Sequence, residues 1–214
     1  PLPLTPHPLF TTVVFPFDLF GNAGTGAGAL LLGDALREAV EDAELEDRPT
    51  RPHAYAGRLR FEEHPFETAE QVAAWRTTGR EAARGLLAAG GFGLWLSGNH
   101  LGVLPVYEEL GPDTLVIQFD AHLDCYDLHD VTPELSHGNW LLHAAGPRPK
   151  VVNVGSRDLF LVPTDVKRAF AAVHPADAVA GSFDKVLADV RKRAGKAKRV
   201  WLGLDADALD PAFA

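Results

Sequence analysis

Cysteine is nearly absent from this chain of 214 residues, since Cys125 is the only one. A single cysteine excludes an intrachain disulfide and is typical of proteins from a reducing compartment, so we expect a cytoplasmic location. Long apolar runs are absent too, because no stretch approaches the roughly 20 apolar residues of a membrane-spanning helix. Residues 1–10 lack the basic start and apolar core of a signal peptide and are predicted to form an extended amino-terminal arm.

Positive charge is also in deficit, with 20 Lys and Arg against 29 Asp and Glu and a net charge of −9 at pH 7. The basic cluster at 191–199 is short, and we interpret it as the solvated end of a helix rather than a nucleic-acid contact. The glycine-rich segment 21–28 lacks the Gly-Lys-Ser/Thr ending of a P-loop and the spacing of a dinucleotide fingerprint. It is therefore predicted to connect a strand to a helix. The sequence predicts neither a nucleic-acid nor a membrane partner.

Strand-like and helix-like segments alternate along the chain, which predicts an α/β fold of three layers, α/β/α, around a mostly parallel sheet. The length and the hydrophobic content of 46% suit one domain that spans residues 1–214. Seven strands are predicted, at 12–17, 54–61, 92–97, 114–120, 150–154, 178–180 and 199–205. Helices are predicted at 29–43, 68–89, 103–110, 165–173 and 183–194, and residues 68–71 form a capping-box pattern.

The most informative motif is Asp120-Ala121-His122-Leu123-Asp124, which follows an apolar strand. Because side chains alternate along a strand, Asp120, His122 and Asp124 can point the same way as the chain leaves the sheet. Two carboxylates and an imidazole at this position suit a divalent cation.

Two other segments place ligand-type side chains directly after apolar strands. His100 follows the strand predicted at 92–97, and Asp205 and Asp207 follow the last strand. In open α/β sheets, sites form outside the carboxyl ends of the strands. These strand ends therefore predict one metal site, whose ligands are His100, Asp120, His122, Asp124, Asp205 and Asp207.

Four carboxylates and two histidines are enough for two divalent cations, with Asp120 and Asp205 as the natural bridging ligands. Metal binding can lower the pKa of water to about 7, which makes hydroxide available at neutral pH. With hydroxide bound, the centre carries a net negative charge and favours a cationic substrate. Oxygen-rich ligation suits two Mn²⁺ ions, although imidazole with carboxylate also accommodates Ni²⁺ or Zn²⁺.

Four motifs, in this order, resemble those of the ureohydrolase family, the arginases, agmatinases and relatives that hydrolyse guanidino or formimino groups. They are Ser97-Gly98-Asn99-His100, the D-A-H-x-D motif at 120–124, Ser136-His137-Gly138, and the D-x-D-x-x-D-P motif at 205–211. The resemblance extends from Phe15 onward. It implies an arginase-like fold and a homo-oligomer, either a trimer or a hexamer.

Residue by residue, the resemblance implies one Mn²⁺ bound by His100, Asp120, Asp124 and Asp205, and a second bound by Asp120, His122, Asp205 and Asp207. It implies His137 and Asp124 as catalytic residues, with the His137 imidazole handling protons or contacting substrate. The pair Tyr126-Asp127 is more like agmatinases than arginases. We therefore expect His137, Tyr126 and Asp127 to bind a small cationic guanidino substrate.

The chain departs from the family pattern near His100 and in the arginine-binding region. Ser97 replaces a glycine, and Leu101 stands where a serine is usual, but neither change removes a ligand. The residues with which arginases hold the α-amino and α-carboxylate groups are not evident, and Phe160 lies where arginases place a polar contact. The sequence therefore predicts a decarboxylated or shorter guanidino compound rather than free arginine as the substrate.

A third departure concerns the sheet. The family's sheet has eight strands, with the last one between the third and the seventh, and seven are predicted here. We expect the 214 residues to be a carboxyl-terminally incomplete record of a longer chain, with the eighth, interior strand and a guanidinium-binding glutamate beyond residue 214.

The predicted activity is hydrolysis of a C–N bond of a guanidino compound to an amine and urea, as in agmatinases and guanidinobutyrases. One alternative is a formimino hydrolase that releases formamide. The other is a metal-binding, catalytically inactive family member with a structural or regulatory role.

Overall fold

The computed structural model describes residues 10–21, 24–45, 59–126, 134–158, 163–209 and 212. Its strands are β1 (Phe10–Phe15), β2 (Leu59–Glu63), β3 (Phe92–Ser97), β4 (Thr114–Phe119), β5 (Lys150–Ser156), β6 (Ala172–Pro175) and β7 (Arg199–Leu204). Its helices are α1 (Thr25–Leu45), α2 (Ala69–Ala73), α3 (Trp75–Ala89), α4 (Leu104–Leu110), α5 (Trp140–His143), α6 (Pro163–Ala169) and α7 (Ala176–Ala194). Short 3₁₀ turns lie at His100–Gly102 and Ala206–Ala208. The chain forms two compact units, Pro1–Glu109 and Leu110–Ala214.

The first unit contains a parallel sheet in the order β2-β1-β3. Neighbouring side chains of the central strand β1 contact different helices. Val14 packs against Gly33 of α1, and Phe15 packs against Gly79 of α3. Because successive side chains of a strand point to opposite faces, α1 and α3 cover opposite faces of this sheet. This arrangement has the helix–sheet–helix layering that the sequence predicts.

The capping box predicted at the start of the second helix is present. The Thr68 hydroxyl accepts a hydrogen bond from the Gln71 N–H at 3.2 Å, and the Gln71 side chain accepts one from the Thr68 N–H at 3.0 Å. The single helix predicted from there is divided at Ala74 into α2 and α3. Gly90, at a φ of 69°, ends α3, a left-handed conformation that glycine adopts without strain.

The glycine-rich segment is a strand-to-helix connection, as predicted, but it is shorter than expected because α1 already begins at Thr25. The Asp18 carboxylate accepts hydrogen bonds from the N–H groups of Gly24 and Gly26, at 2.7 and 3.1 Å. A carboxylate from the chain itself thus occupies the position at the amino end of α1 that favours an anion.

The second unit contains a parallel sheet in the order β6-β5-β4-β7. Helix α7 covers one of its faces, where Val186 packs in a cluster with Leu115 and Ile117 of β4 and with Val152 and Val154 of β5. The side chains on the other face of these two central strands are buried as well, as expected for a parallel sheet.

The strand predicted at 178–180 is wrong, because these residues are helical within α7. The sixth strand is instead Ala172–Pro175, part of which was predicted as the end of a helix. Pro175 explains the difference, since a proline disfavours helical backbone at the residue before it and is suited to a position just outside a helix start. Helix α7 is kinked at Ser182, whose backbone is non-helical at φ −152° and ψ 44°. The helix predicted at 183–194 begins next to this kink.

Several expectations fall partly outside the described residues. Residues 1–9 of the predicted arm and 54–58 of the predicted second strand are among them, while Phe10 already belongs to β1. In the described part of the chain, β3 and β7 each lie at the edge of a sheet, and the eighth strand stays a prediction. The single domain also stays a prediction. Within the same ranges, no helix is both long enough and apolar enough to cross a membrane.

Candidate metal centre

The structure brings three of the predicted ligands together in the second unit. Asp120, His122 and Asp207 each place a ligand atom within 4.8 Å of the others. The first two directly follow β4, and Asp207 lies in the 3₁₀ turn after β7. Because β4 and β7 are paired in parallel, their carboxyl ends deliver these side chains to the same edge of the sheet.

Asp120 is completely buried, with 0% of its surface exposed. Its Oδ1 accepts a hydrogen bond from the His122 N–H at 2.7 Å, and its Oδ2 accepts one from the side-chain amide of Gln118. A buried carboxylate requires such partners, and its two oxygens offer about four lone-pair positions. The two hydrogen bonds fix the orientation of the carboxylate.

His122 faces the carboxylates of this cluster. Its Nδ1 lies 2.9 Å from Oδ2 of Asp207 and 3.9 Å from Oδ1 of Asp120. Burial opposes the charged form of the imidazole, but Asp207, Asp120 and Asp124 together outweigh it and raise the pKa of His122 above its usual value. Two carboxylates and an imidazole form a donor set that fits a hard-to-borderline divalent cation.

Asp205 begins the turn that carries Asp207. Its N–H donates to the carbonyl of Phe119 at 2.9 Å, and its carboxylate accepts from the Asp207 N–H at 3.0 Å. A carboxylate oxygen of Asp205 lies within 4.8 Å of one on Asp120. Asp205 is therefore placed to share a cation with Asp120.

Asp124 has an unusual backbone, with a φ of 44°, in the left-handed region that few residues other than glycine adopt. Its buried carboxylate accepts a hydrogen bond from the indole Nε1–H of Trp140 at 3.0 Å. Such backbone strain is characteristic of functional sites. Among the described residues, Asp124 does not belong to a group of ligand atoms as close as the one above.

His100 lies in the first unit, where it opens the 3₁₀ turn after β3. The Asn99 side chain caps this turn by accepting from the Leu101 N–H at 3.0 Å. Leu101 is completely buried, which explains an apolar residue at this position. The Ser97 hydroxyl donates to the carbonyl of Asn99 at 2.9 Å. The participation of His100 in the metal centre stays a prediction.

His137 is half-buried in a turn that is tied to the motif at 120–124. The Asn139 side chain braces the turn by accepting from the Ser136 N–H at 2.7 Å and donating to the Glu134 carbonyl at 2.8 Å. The Tyr126 N–H donates to the Gly138 carbonyl at 3.2 Å. His137 is therefore held near the segment that follows Asp124.

The Tyr126 hydroxyl donates a hydrogen bond to the carboxylate of Asp158. Burial and this hydrogen bond both raise the pKa of the Tyr126 phenol, so the hydroxyl stays protonated. Asp127 lies outside the described residues. The substrate contacts predicted for His137, Tyr126 and Asp127 stay predictions.

Two polar residues that the sequence motifs do not include, one in β5 and one just after it, support the segment 120–124. Asn153 is completely buried, and its side-chain amide donates to the carbonyls of Asp120 and His122 at 3.3 and 3.1 Å. The Asp158 carboxylate accepts from the Leu123 N–H at 3.2 Å. The signal available for Asn153 was a polar residue between the apolar residues Val152 and Val154.

Aspartates and a histidine cluster at the carboxyl ends of neighbouring parallel strands, which is where open α/β sheets form their binding sites. The chain belongs to the arginase family, because the model of that family matches residues 10–214. Members of this family are metal-dependent ureohydrolases with a binuclear metal centre. The ureohydrolase resemblance of the sequence motifs is confirmed.

Comparison with known proteins gives both a sequence relative and structural neighbours. The guanidinopropionase of Pseudomonas aeruginosa is 31% identical over 139 residues, which cover 59% of this chain and 43% of the relative. The match thus spans less than half of that relative's length.

The match to the arginase from Bacillus subtilis has a TM-score of 0.72 at 22% identity. It covers 96% of this chain and 77% of that arginase. The match to the agmatine ureohydrolase of Thermoplasma volcanium has a TM-score of 0.69 at 20% identity. It covers 96% of this chain and 69% of that protein. The match to the formimidoylglutamase from Bacillus subtilis has a TM-score of 0.65 at 17% identity. It covers 96% of this chain and 66% of that protein. These similarities confirm the arginase-like α/β fold.

Proposed function

We propose that this chain belongs to a metal-dependent hydrolase that cleaves a C–N bond of a guanidino compound to an amine and urea. The observation that carries this proposal is the cluster of Asp120, His122 and Asp207 at the ends of two adjacent parallel strands in an arginase-family chain. The sequence similarity to a guanidinopropionase supports a guanidino substrate. We expect a decarboxylated or shorter compound rather than arginine.

The metal centre would use His100, Asp120, Asp124 and Asp205 for one ion and Asp120, His122, Asp205 and Asp207 for the other. We propose Mn²⁺ for both positions, because carboxylate oxygens predominate, and the imidazoles also accommodate Ni²⁺ or Zn²⁺. When bound, two such ions would acidify a shared water, so that a nucleophile is available near pH 7.

His137 would donate a proton to the leaving amine, since a histidine imidazole is a common general acid. The braced turn from Ser136 to Asn139 would hold this imidazole in one place. Asp124 would act as the second catalytic residue, and Tyr126 and Asp127 would contact the substrate. The aspartates of the centre favour a cationic group at this position.

We further propose a cytoplasmic, single-domain enzyme that assembles as a homo-oligomer. The lone cysteine, which is buried, supports a reducing environment. The oligomer, a trimer or a hexamer, follows from the family resemblance, and analytical ultracentrifugation would measure it.

The test is a substrate panel with the Mn²⁺-loaded full chain. Agmatine, 4-guanidinobutyrate, 3-guanidinopropionate, arginine and formiminoglutamate would be incubated separately, and urea and formamide would be assayed. We expect urea from one of the first three and none from arginine. Formamide from formiminoglutamate would instead support formimino hydrolysis. No product from any compound, with two ions bound, would contradict the proposal and favour the inactive alternative.

A further inference from the structure

The carboxyl end of β5 leaves the sheet through a bulge. The pairing of β5 with β6 shifts in register between Val154 and Ser156, and Gly155 between them has a φ of 100°. Bulges of this kind bend a strand and redirect the side chains that follow. The next residue but one, Arg157, contacts two separate loops of the candidate metal centre.

The contacts of Arg157 join those loops. Its backbone N–H donates to the carbonyl of Ala121 at 2.8 Å. Its Nη2 donates to the carbonyl of Asp207 at 2.6 Å, and Nη1 is 3.4 Å from that of Ala208. The Ala121 N–H in turn donates to the Asp207 carboxylate at 3.2 Å. Arg157, Ala121 and Asp207 therefore form a closed ring of hydrogen bonds.

We propose that Arg157 is a positioning residue that holds the 3₁₀ turn Ala206–Ala208 against the loop after β4, and so fixes Asp207 relative to Asp120 and His122. This role rests on the metal centre of the proposed function. It does not require that Arg157 touch substrate or metal.

The chemistry of the turn explains why an arginine stands here. The last carbonyls of a helical turn have no partners within the turn. A guanidinium carries five N–H donors in a rigid fork and can bind several carbonyls at once, whereas a lysine ammonium is a point donor on a flexible stem. Arg157 is exposed, so its hydrogen bonds contribute little to the stability of the fold. Metal ligands, by contrast, must be held to within about 0.5 Å.

The experiment measures Mn²⁺ binding to the metal-free full chain by isothermal titration calorimetry, together with the melting temperature of the metal-free protein. The variants are Arg157→Met and Arg157→Lys. The matched control is Arg193→Met, because Arg193 lies in the same unit and donates both to a backbone carbonyl, Ala171, and to Asp189.

We expect Arg157→Met to weaken one Mn²⁺ site about 10- to 100-fold, the range typical of residues that orient metal ligands, with little change in melting temperature. Arg157→Lys should recover only part of that loss. Arg193→Met should lower the melting temperature and leave Mn²⁺ affinity unchanged.

Unchanged affinity for both ions in Arg157→Met would overturn the proposal, and so would an equal loss of affinity in Arg193→Met. A wild-type chain that binds two Mn²⁺ ions but releases neither urea nor formamide would contradict the proposed function alone. A wild-type chain that binds no Mn²⁺ would overturn both.

Discussion

The buried carboxylate of Asp120 is oriented by hydrogen bonds from its own strand and loop. One of its oxygens faces the N–H of His122 and the other faces the amide of Gln118, while the amide of Asn153 holds its backbone carbonyl. A ligand that is already desolvated and oriented loses little conformational freedom when an ion arrives. We therefore expect a change of charge at Asp120 to weaken cation binding more than a change at any other residue.

Asp120→Asn keeps the shape of the side chain but removes its negative charge. Because Asp120 is proposed to bind both ions, the variant should lose both. Mass spectrometry after dialysis measures the number of metal ions per chain. The matched control is Asp113→Asn, next to the start of β4, where the carboxylate is exposed and pairs with Lys198 at 2.6 Å. The control should retain both ions. Two ions on the Asp120→Asn protein would refute the ligand assignment.

Cys125 should be chemically inert in the folded protein. Burial, reinforced by the neighbouring carboxylates of Asp165, Asp158 and Asp124, raises the pKa of its thiol to about 12. At pH 8 only about one thiol in 10⁴ would be ionised, and the thiolate is the reactive form. We expect Ellman's reagent to modify Cys125 at pH 8 only after unfolding in guanidinium chloride. Rapid modification of the folded chain would contradict the burial of this thiol.

At the scale of elements, helix packing onto the first sheet depends on close approach at particular positions. A Cβ at Gly79 of α3 would lie 2.7 Å from Pro105 Cβ and 2.9 Å from Phe15 Cζ. On the same helix, a Cβ at Gly85 would meet nothing within 4 Å. The two glycines therefore differ in packing although both lie within one helix.

This contrast predicts opposite effects for the same substitution. Gly85→Ala should raise the free energy of unfolding by up to about 1 kcal/mol, because alanine favours the helix. Gly79→Ala should lower it by about 1–3 kcal/mol through overpacking. Chemical denaturation monitored by circular dichroism measures both. If Gly79→Ala proved as stabilising as Gly85→Ala, the packing of α3 described here would be incorrect.

The elements that the sequence predicted well have strong local patterns. The apolar run before Asp120 placed β4 correctly, and the capping box at Thr68 placed the start of α2. The four-residue strand β6 was missed because its pairing with β5, rather than a local pattern, makes it a strand. The spacing of Asp120 and His122 is local and could be read, whereas Arg157 contacts Asp207 across 50 positions of sequence. No local pattern encodes such a contact.

For the whole molecule, the dominant electrostatic feature is an excess of negative charge. The net charge is −9, and four of the aspartates are proposed ligands. Carboxylates that lie within a few ångströms of one another repel when no cation is present. Divalent cations should therefore bind the folded chain far better than the unfolded one and raise its stability.

Mn²⁺ should raise the melting temperature in proportion to the logarithm of its concentration. At 100 times the Kd, each site contributes about 2.7 kcal/mol, which corresponds to roughly 5–10 °C for a chain of this size. Differential scanning fluorimetry with and without EDTA measures the shift, and NaCl at equal ionic strength is the control. If NaCl raised the melting temperature as much as Mn²⁺ does, or if Mn²⁺ raised that of Asp120→Asn equally, charge screening rather than binding at the proposed centre would explain the stabilisation.

The order of strands in the two sheets has a consequence for folding during synthesis on the ribosome. The first sheet uses only strands that lie between residues 10 and 97, so all three are available as soon as that part has been translated. In the second sheet, β4 cannot pair with its neighbour β7 until about 80 further residues have been translated. Domains generally fold as they emerge, from the amino end first. The nascent chain therefore exposes the Asp120–Asp124 loop before Asp205 and Asp207 exist. The proposed metal centre can form only after both of these residues have been translated.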